Sequence, residues 1–503
     1  MNNSSPYMKR YKKTVVIIGG GTAGLTIANN LQDYFNVVVI EKSKYKRYPL
    51  WYKPPLFIGI LLRKVKSKYI YKRDFKLSNG RSIPFFESNV LGGTSVINGC
   101  VHMLGNKSQW IKILKPFKFN YHDLIDSYNK IYSFNPKVKN KINLALACQN
   151  IIDKAFVKAL NLYNIQVGDT NYSNEELCGP IINTTRKYFR TSVLSLLNKK
   201  KFKVLLGENV VNLIFSNDGK VTGVRTSTGV VSADYVVLSS GVIGTCDILL
   251  REKYINKGMA DLIIGEGVQD HTNLRINVLT NKEIGSLNEI SNSFYKKLLL
   301  FSKYLFGKST LMKGTGATSA VHLDLDQDGE VDTRIQIVQF SETGRHGSDG
   351  KLFSSSQPGF SISITAINPK SKGKITISSN GNSVDPRHLS SNNDIELLKK
   401  ALKFSLKLLR SSHINSHILK IEDEAIIKND PEKYFTDNFY SGFHLIGGLQ
   451  GAINSNFEVH NIKGLYVCDA SVFDRYAASN IHSSVVLIAD LFAKRFITNN
   501  FNF

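Results

Sequence analysis

Three short stretches of this chain carry residue types and spacings that could do chemistry. The first is Gly19-Gly20-Gly21-Thr22-Ala23-Gly24, which follows the β-branched run TVVII at 14–18 and precedes Leu25-Thr26-Ile27-Ala28-Asn29-Asn30-Leu31 at helical spacing. Glycines at a strand-to-helix turn let the backbone approach a phosphate, and the helix N-terminus adds unpaired N–H groups and a favourable dipole. The second, LGGTSVINGCVHMLGNKSQW at 91–110, holds too many glycines for a regular element. It predicts a loop of exposed N–H groups suited to a ring system or a phosphate. The third is C-terminal. YSGFHLIGG at 440–448 sets His444 beside a glycine pair, and GLYVCDASVFDRYAASNIHSSVVLIADLFAKRF at 464–496 reads as strand, Asp469, loop, then a helix with His482 at its start. A neutral imidazole near pH 7 can take a proton from a reacting hydroxyl. A lone histidine is more often a satisfied polar residue in a packed interface, so the chemistry needs the two together.

These residues must be held by regular elements. In the GxGxxG pattern Gly19 allows the tight turn, Gly21 the close approach and Gly24 the packing of helix on strand. A second strand, Val37 to Ile40, ends in Glu41, where a carboxylate can accept from both hydroxyls of an adenosine ribose. The unit is a complete dinucleotide-binding βαβ, although spacing alone does not separate FAD from NAD. Further along, stretches 318–325, 333–340, 359–367 and 373–378 alternate with the period of strands in one sheet. Asn393 is placed to cap a helix whose Ile395, Leu398, Leu402, Leu406 and Leu409 bury one stripe against that sheet.

At 503 residues, 42% hydrophobic and 21% charged, the chain has the profile of a globular protein long enough for two cores. Its net charge of +25 is spread along the whole length and fits lysine substitution on solvated faces; no nucleic-acid motif accompanies it. One local exception is 42–73, with eleven Lys/Arg, no acid and an apolar core from Pro55 to Leu62, too short to span a bilayer and able at most to lie on one. The stretch 294–313 includes an amphipathic helix with a basic face, expected to pack on the substrate domain, with membrane or partner contact as the alternative. Five scattered cysteines without a CxxC, and a polar, basic start unlike a cleaved signal, predict a cytoplasmic protein with neither disulfides nor a metal centre. Asp324, Asp326, Asp328 and Gly329 mimic the opening of a calcium loop, but the twelfth position is Ile335, and an acidic hairpin turn is the better reading.

Together the motifs resemble the glucose–methanol–choline family of FAD-dependent oxidoreductases over nearly the whole chain. The Gly19–Gly24 turn (Gly19, Gly21, Thr22, Ala23 and Gly24) with Glu41 resembles the family's FAD fingerprint. Gly92, Gly93, Thr94, Ser95, Asn98 and Gly99 resemble its first signature, which lies along the flavin ring and pyrophosphate. Val210 resembles the strand that pairs with adenine, SSGVIGTCDILL at 239–250 the second signature, and GEGVQDH at 265–271 and NPKSKGKITI at 368–377 further landmarks. The resemblance puts His444 on the catalytic histidine and His482 on its companion, with Asn480 beside it, and Asp469 and Ala470 where backbone holds the pyrophosphate and ribityl chain. Ile97 stands where some members bond FAD through a histidine, which implies non-covalent FAD. Leu104 and the run Gly448 to Ala452 also depart from the common pattern.

The resemblance implies an α/β protein: a Rossmann-like FAD-binding domain from 1–115, 190–280 and 435–503, and a discontinuous α+β substrate domain on an antiparallel or mixed sheet from 116–189 and 281–434. It implies oxidation of a small-molecule alcohol to an aldehyde or ketone, by hydride transfer to flavin N5 with a histidine base, and a separate electron acceptor. The same fold also serves a flavin lyase and a light-driven fatty-acid decarboxylase, and a degenerate FAD-binding protein is a further alternative.

Overall fold

The structure is a computed structural model; it describes residues 12–501 apart from 60–66, 77–79, 198–200, 256, 344–352, 355–356 and 379–380. Five parallel strands form the first sheet: β1 (Thr14–Ile18), β2 (Asn36–Glu41), β3 (Lys203–Leu206), β4 (Tyr235–Leu238) and β5 (Leu465–Val467), in the order β3-β2-β1-β4-β5. Parallel strands need both faces covered, and their sequences show it: Val15, Val16, Ile17, Val236, Val237 and Leu238 are wholly buried. Helix α1 (Thr22–Leu31) covers one side and meets the C-terminal helix Ile481–Asn500, where the Asn30 amide donates to Asp490 at 3.0 Å. Ser127 and Lys130 also bond the buried Asp490 carboxylate, and together with Lys494 they hold it below the usual carboxylate range against the opposing effect of burial.

The second sheet is large and almost wholly antiparallel. Its strands run Ile418–Ile421, Thr272–Thr280, Gly359–Ala366, Thr333–Val338, Ala317–Leu323, Leu177–Pro180 and Gln166–Val167, with Tyr440–Ser441 pairing beside Thr272–Thr280. Thr272–Thr280 and Tyr440–Ser441 lie inside the 190–280 and 435–503 segments, so this sheet draws on both sets of segments. Its apolar core is separate from that of the parallel sheet.

Two local expectations are corrected. The strand at 373–378 does not join the large sheet; Gly373–Ser378 pairs with Glu266–Val268 and Gly381–Asp385 in a small sheet of its own. Gly373 permits this, because a Cβ there would meet the Asp385 carbonyl at 1.9 Å. The helix expected to start at Asn393 spans Asn392–Leu409 with Ser391 at its cap. Its first-turn acid, Asp394, instead accepts from the N–H groups of Lys370 and Ser371 and ties the helix to that loop. Leu398, Leu402, Leu406 and Leu409 are buried as the stripe predicts, with Leu397 and Leu408 beside them.

A third expectation fails more consequentially. Helix Phe294–Leu305 was expected to pack its apolar stripe on the substrate domain, yet only Tyr304 is buried. Ala317–Leu323 and Thr333–Val338 form the predicted hairpin, and in its turn Asp324 and Asp332 accept five backbone N–H bonds, which explains why those carboxylates and Asp326 converge. Among the described residues no helix is long and apolar enough to cross a membrane, and no cysteine is paired.

Candidate active site

One cavity of about 1100 Å³ runs from the C-terminal edge of the parallel sheet to the face of the large sheet. Its first end is built by the glycine turn. Gly19 has φ +106°, and a Cβ on it would lie 2.4 Å from the Ser239 carbonyl. A Cβ on Gly24 would lie 1.9 Å from the Gly19 carbonyl, so this helix can approach its strand only with glycine there. Gly21 differs: it lines the cavity and a Cβ on it would meet no protein atom closer than 4.0 Å. The Gly92 N–H donates to the Gly20 carbonyl at 2.8 Å, which joins the 91–110 loop to the turn.

Thr22, Ala23, Glu41, Gly93, Thr94, Asn98, Gly99, Val210, Asp469, Ala470 and Asn480 line the cavity with Gly19 and Gly21. Gly24, Gly92 and Ser95 stand behind the wall; Ser95 donates to the Gly92 carbonyl at 2.6 Å and shapes the loop. The buried Glu41 accepts from Gly20 N–H at 2.8 Å and Ser43 N–H at 2.7 Å, one on each oxygen. Burial raises its pKa, partly offset by those two bonds. Each oxygen keeps a lone pair for a hydroxyl donor. Asp469 is spent on the protein, accepting from Gly241 N–H, the Thr245 hydroxyl and Ser471. The flavin nucleotide fits this donor set: a glycine cradle open at Gly21, an uncapped helix N-terminus at Thr22, and a carboxylate at the end of β2.

The other end holds both histidines. His444 and His482 line the same cavity, as does Asn480. His444 Nδ1 lies 2.9 Å from His271 Nδ1, and His271 Nε2 lies 3.2 Å from the Ile367 carbonyl. The Asn480 amide nitrogen sits 3.4 Å from His444 Nε2, while its oxygen accepts from the Arg334 guanidinium. Asn480 occupies the N-cap of helix Ile481–Asn500 without capping it, because its amide is committed to this chain of bonds. Asp270 accepts the His444 backbone N–H at 2.9 Å and the Ser441 hydroxyl, and Tyr476 donates to the His444 carbonyl at 2.8 Å. Burial lowers the pKa of His444 to about 4; Asp270 opposes that shift and Arg334 adds to it. Burial, then Arg190, lowers His482 to about 4, and its buried Nε2 has no partner among the described residues.

Three participants were not foreseen. His271, the last residue of the GEGVQDH stretch, touches the His444 ring. Arg334, fully buried with its pKa lowered to about 10 by that burial, sits in a strand with no motif around it. Arg190 reaches the Asn98 carbonyl at 2.6 Å and fixes the first-signature loop. Two other histidines are held by protein groups, His102 by the Tyr128 hydroxyl and His322 by the Tyr172 carbonyl, while His346 lies outside the described residues.

A nucleotide cradle that continues into a buried two-histidine chamber defines a flavin-dependent oxidoreductase. The chain belongs to the GMC oxidoreductase family: its N-terminal model matches residues 13–273 and its C-terminal model residues 369–489. It is an FAD flavoprotein enzyme of the alcohol-oxidising kind. It is 22% identical over 545 residues to a glucose dehydrogenase [FAD, quinone] of Drosophila pseudoobscura pseudoobscura, covering 95% of this chain and 86% of the relative. An oxygen-dependent choline dehydrogenase of Yersinia pestis (strain Pestoides F) is 21% identical, covering 95% and 93%. In fold the chain resembles formate oxidase, with TM-score 0.84, 18% identity and 97% and 99% coverage. It also resembles pyridoxine 4-oxidase from Mesorbium loti, with TM-score 0.76, 16% identity and 96% and 99% coverage.

Proposed function

We propose that the protein oxidises a small alcohol with an apolar body to its aldehyde or ketone, with Nε2 of His444 taking the hydroxyl proton. Bound non-covalently in the cradle, FAD supplies the acceptor for the hydride, at N5. The residues proposed to hold it are those lining the first end, from Gly19 and Glu41 to Val210, Asp469 and Ala470, shaped from behind by Gly24, Gly92 and Ser95. Ile97 lines the wall and offers no nucleophilic atom, which supports a dissociable flavin.

One observation carries the reading: the hydrogen-bond chain through His444 can run in only one direction. Ile367 ends it with a carbonyl, which can only accept, so His271 donates through Nε2 and keeps a lone pair on Nδ1. That lone pair takes the Nδ1–H of His444. From the other side the Arg334 guanidinium, which can only donate, fills the Asn480 oxygen and turns the amide N–H toward His444 Nε2. Both ends therefore place the lone pair on Nε2, where the 3.4 Å contact from the Asn480 amide is long enough to give way to a substrate hydroxyl. His482 Nε2, without a partner among the described residues, is the proposed second contact to the alcohol oxygen, fixing the angle at which the carbon meets the flavin. The far walls, Phe57, Ile290, Leu300, Phe301 and Met312, support an apolar body for the substrate, and the charges of Arg275 and Glu342 are paired at 2.8 Å.

An anaerobic screen of straight-chain, aromatic, sterol and sugar alcohols tests this. The expected result is loss of the oxidised-flavin absorbance with at least one apolar alcohol; a flavin that no alcohol bleaches would overturn the reading in favour of the lyase, decarboxylase or degenerate alternatives. His271 enters as a positioning residue. His271→Leu removes the acceptor for Nδ1–H and is expected to slow flavin reduction roughly 10–10²-fold and displace the pH profile, with little change in substrate KM. His271→Gln, which restores an acceptor oxygen, should recover most of the rate. An unaltered pH profile in His271→Leu would refute the role.

A further inference from the structure

The exposed helix Phe294–Leu305 contributes Leu300 and Phe301 to the cavity wall, and its outer residues with the segment around Trp51 form a surface that the catalytic reading does not use. Phe294, Leu298, Phe301 and Leu305 repeat at helical spacing along one stripe, and the stripe faces outward: Phe294 is 81% exposed, Tyr295 71%, Leu298 56% and the following Phe306 83%. Trp51 is 65% exposed. The two regions are neighbours through 188–190. The Tyr188 hydroxyl donates to the Leu305 carbonyl at 2.8 Å, the Lys53 ammonium lies 6.0 Å from the Phe189 ring, and Arg190 N–H reaches the Lys53 carbonyl. Scattered exposed apolar side chains are ordinary, whereas a contiguous aromatic patch of this kind marks a surface that is covered in use.

We propose that this patch docks the protein on an anionic lipid bilayer, with an opening of the substrate cavity turned toward the lipid. Charge argues for the occupant. No acidic residue lies between positions 290 and 323, while Lys296, Lys297, Lys303, Lys308 and Lys313 interleave with the apolar side chains. Among the described residues Lys297, Lys303 and Lys308 make no ion pair, so their charge is available to lipid phosphates and carboxylates. Shape agrees: a helix that presents its apolar stripe outward with lysines beside it suits insertion at the headgroup boundary. Location gives the patch a purpose. Lys297 and Phe301 belong to the helix and also line the cavity, as do Leu56 and Phe57 on the opposite side. An alcohol dissolved in the membrane would then enter without crossing water. That last step rests on the alcohol-oxidising reading; the docking does not.

Flotation of the flavin-loaded protein with vesicles tests the docking without any catalytic readout. The protein is expected to float with vesicles of phosphatidylcholine and phosphatidylserine about tenfold more than with phosphatidylcholine alone, and to be released by high salt. A variant carrying Phe294→Ser, Leu298→Ser and Phe306→Ser, none of which lines the cavity, should lose about tenfold of that binding while staying yellow. Lys303→Glu with Lys308→Glu, which leaves the aromatic and leucine side chains in place, should abolish the preference for anionic vesicles. Wild-type protein that floats with neither vesicle, or serine and glutamate variants that float as well as wild type, would overturn the proposal. So would sedimentation showing a wild-type dimer that the serine variant converts to monomer, because a second copy would then cover the patch.

Discussion

His444→Ala is expected to slow flavin bleaching by a saturating alcohol roughly 10²–10⁴-fold, the scale of losing a general base, while the purified variant remains yellow. The separation is possible because the imidazole belongs to the far end of the cavity, whereas the nucleotide cradle is built from the glycine turn, β2 and Asp469. Nε2 of His444 is the proposed proton acceptor; with the ring gone, Asn480 offers an amide N–H and His271 bonds the Ile367 carbonyl. The pH profile gives an independent check. Burial disfavours the imidazolium, so the pKa of His444 falls to about 4 and that of His482 to about 4. Both rings are neutral above pH 5, and the wild-type reduction rate should be flat from there to pH 8, falling as pH drops toward 4 and Nε2 fills with a proton. A variant whose rate matches wild type would move the base to another residue.

The second large effect concerns two glycines three positions apart with opposite outcomes. Gly21→Val is expected to give a folded but colourless protein. Its backbone angles, φ −86° and ψ −158°, are open to any residue, and its Cβ would meet no protein atom closer than the Gly93 Cα at 4.0 Å, so the valine grows into the cavity where the pyrophosphate is proposed to lie. Gly24→Val is expected to fail at the fold, because its Cβ would sit 1.9 Å from the Gly19 carbonyl and push α1 off its strand. Circular dichroism with flavin absorbance distinguishes the two, and acid precipitation of wild type should release yellow FAD into the supernatant. A yellow Gly21→Val protein would place the nucleotide elsewhere, and a yellow pellet would reveal a covalent bond.

The glycine turn, the 91–110 loop and the order of the C-terminal motifs were legible in the sequence because each is a backbone requirement. A positive φ or a forbidden Cβ leaves few residue choices, and the choice is visible as glycine. Side-chain partnerships across the fold leave no such trace. Arg334 and Asn480 are 146 positions apart and His271 and His444 are 173 apart, and nothing local in either pair distinguishes a network member from a buried polar residue. The cap at Ser391 in place of Asn393, and the small sheet that takes Gly373–Ser378, follow from contacts of Asp394 and Gly373 with distant loops. Periodicity found the amphipathic helix Phe294–Leu305, but it cannot say which way a stripe turns, and here it turned outward.

The strand order has a bearing on how this protein is made. β5 joins the parallel sheet 227 residues after β4, its one neighbour there among the described residues. While a ribosome is still threading out the intervening polypeptide, the bare backbone of β4 stays open to any passing extended segment. At ordinary elongation speeds of roughly 5–20 residues per second that interval lasts about 10–45 seconds. Until the C-terminal segment emerges, that edge of the sheet is a site for mispairing, and the strand that covers it arrives last of the five.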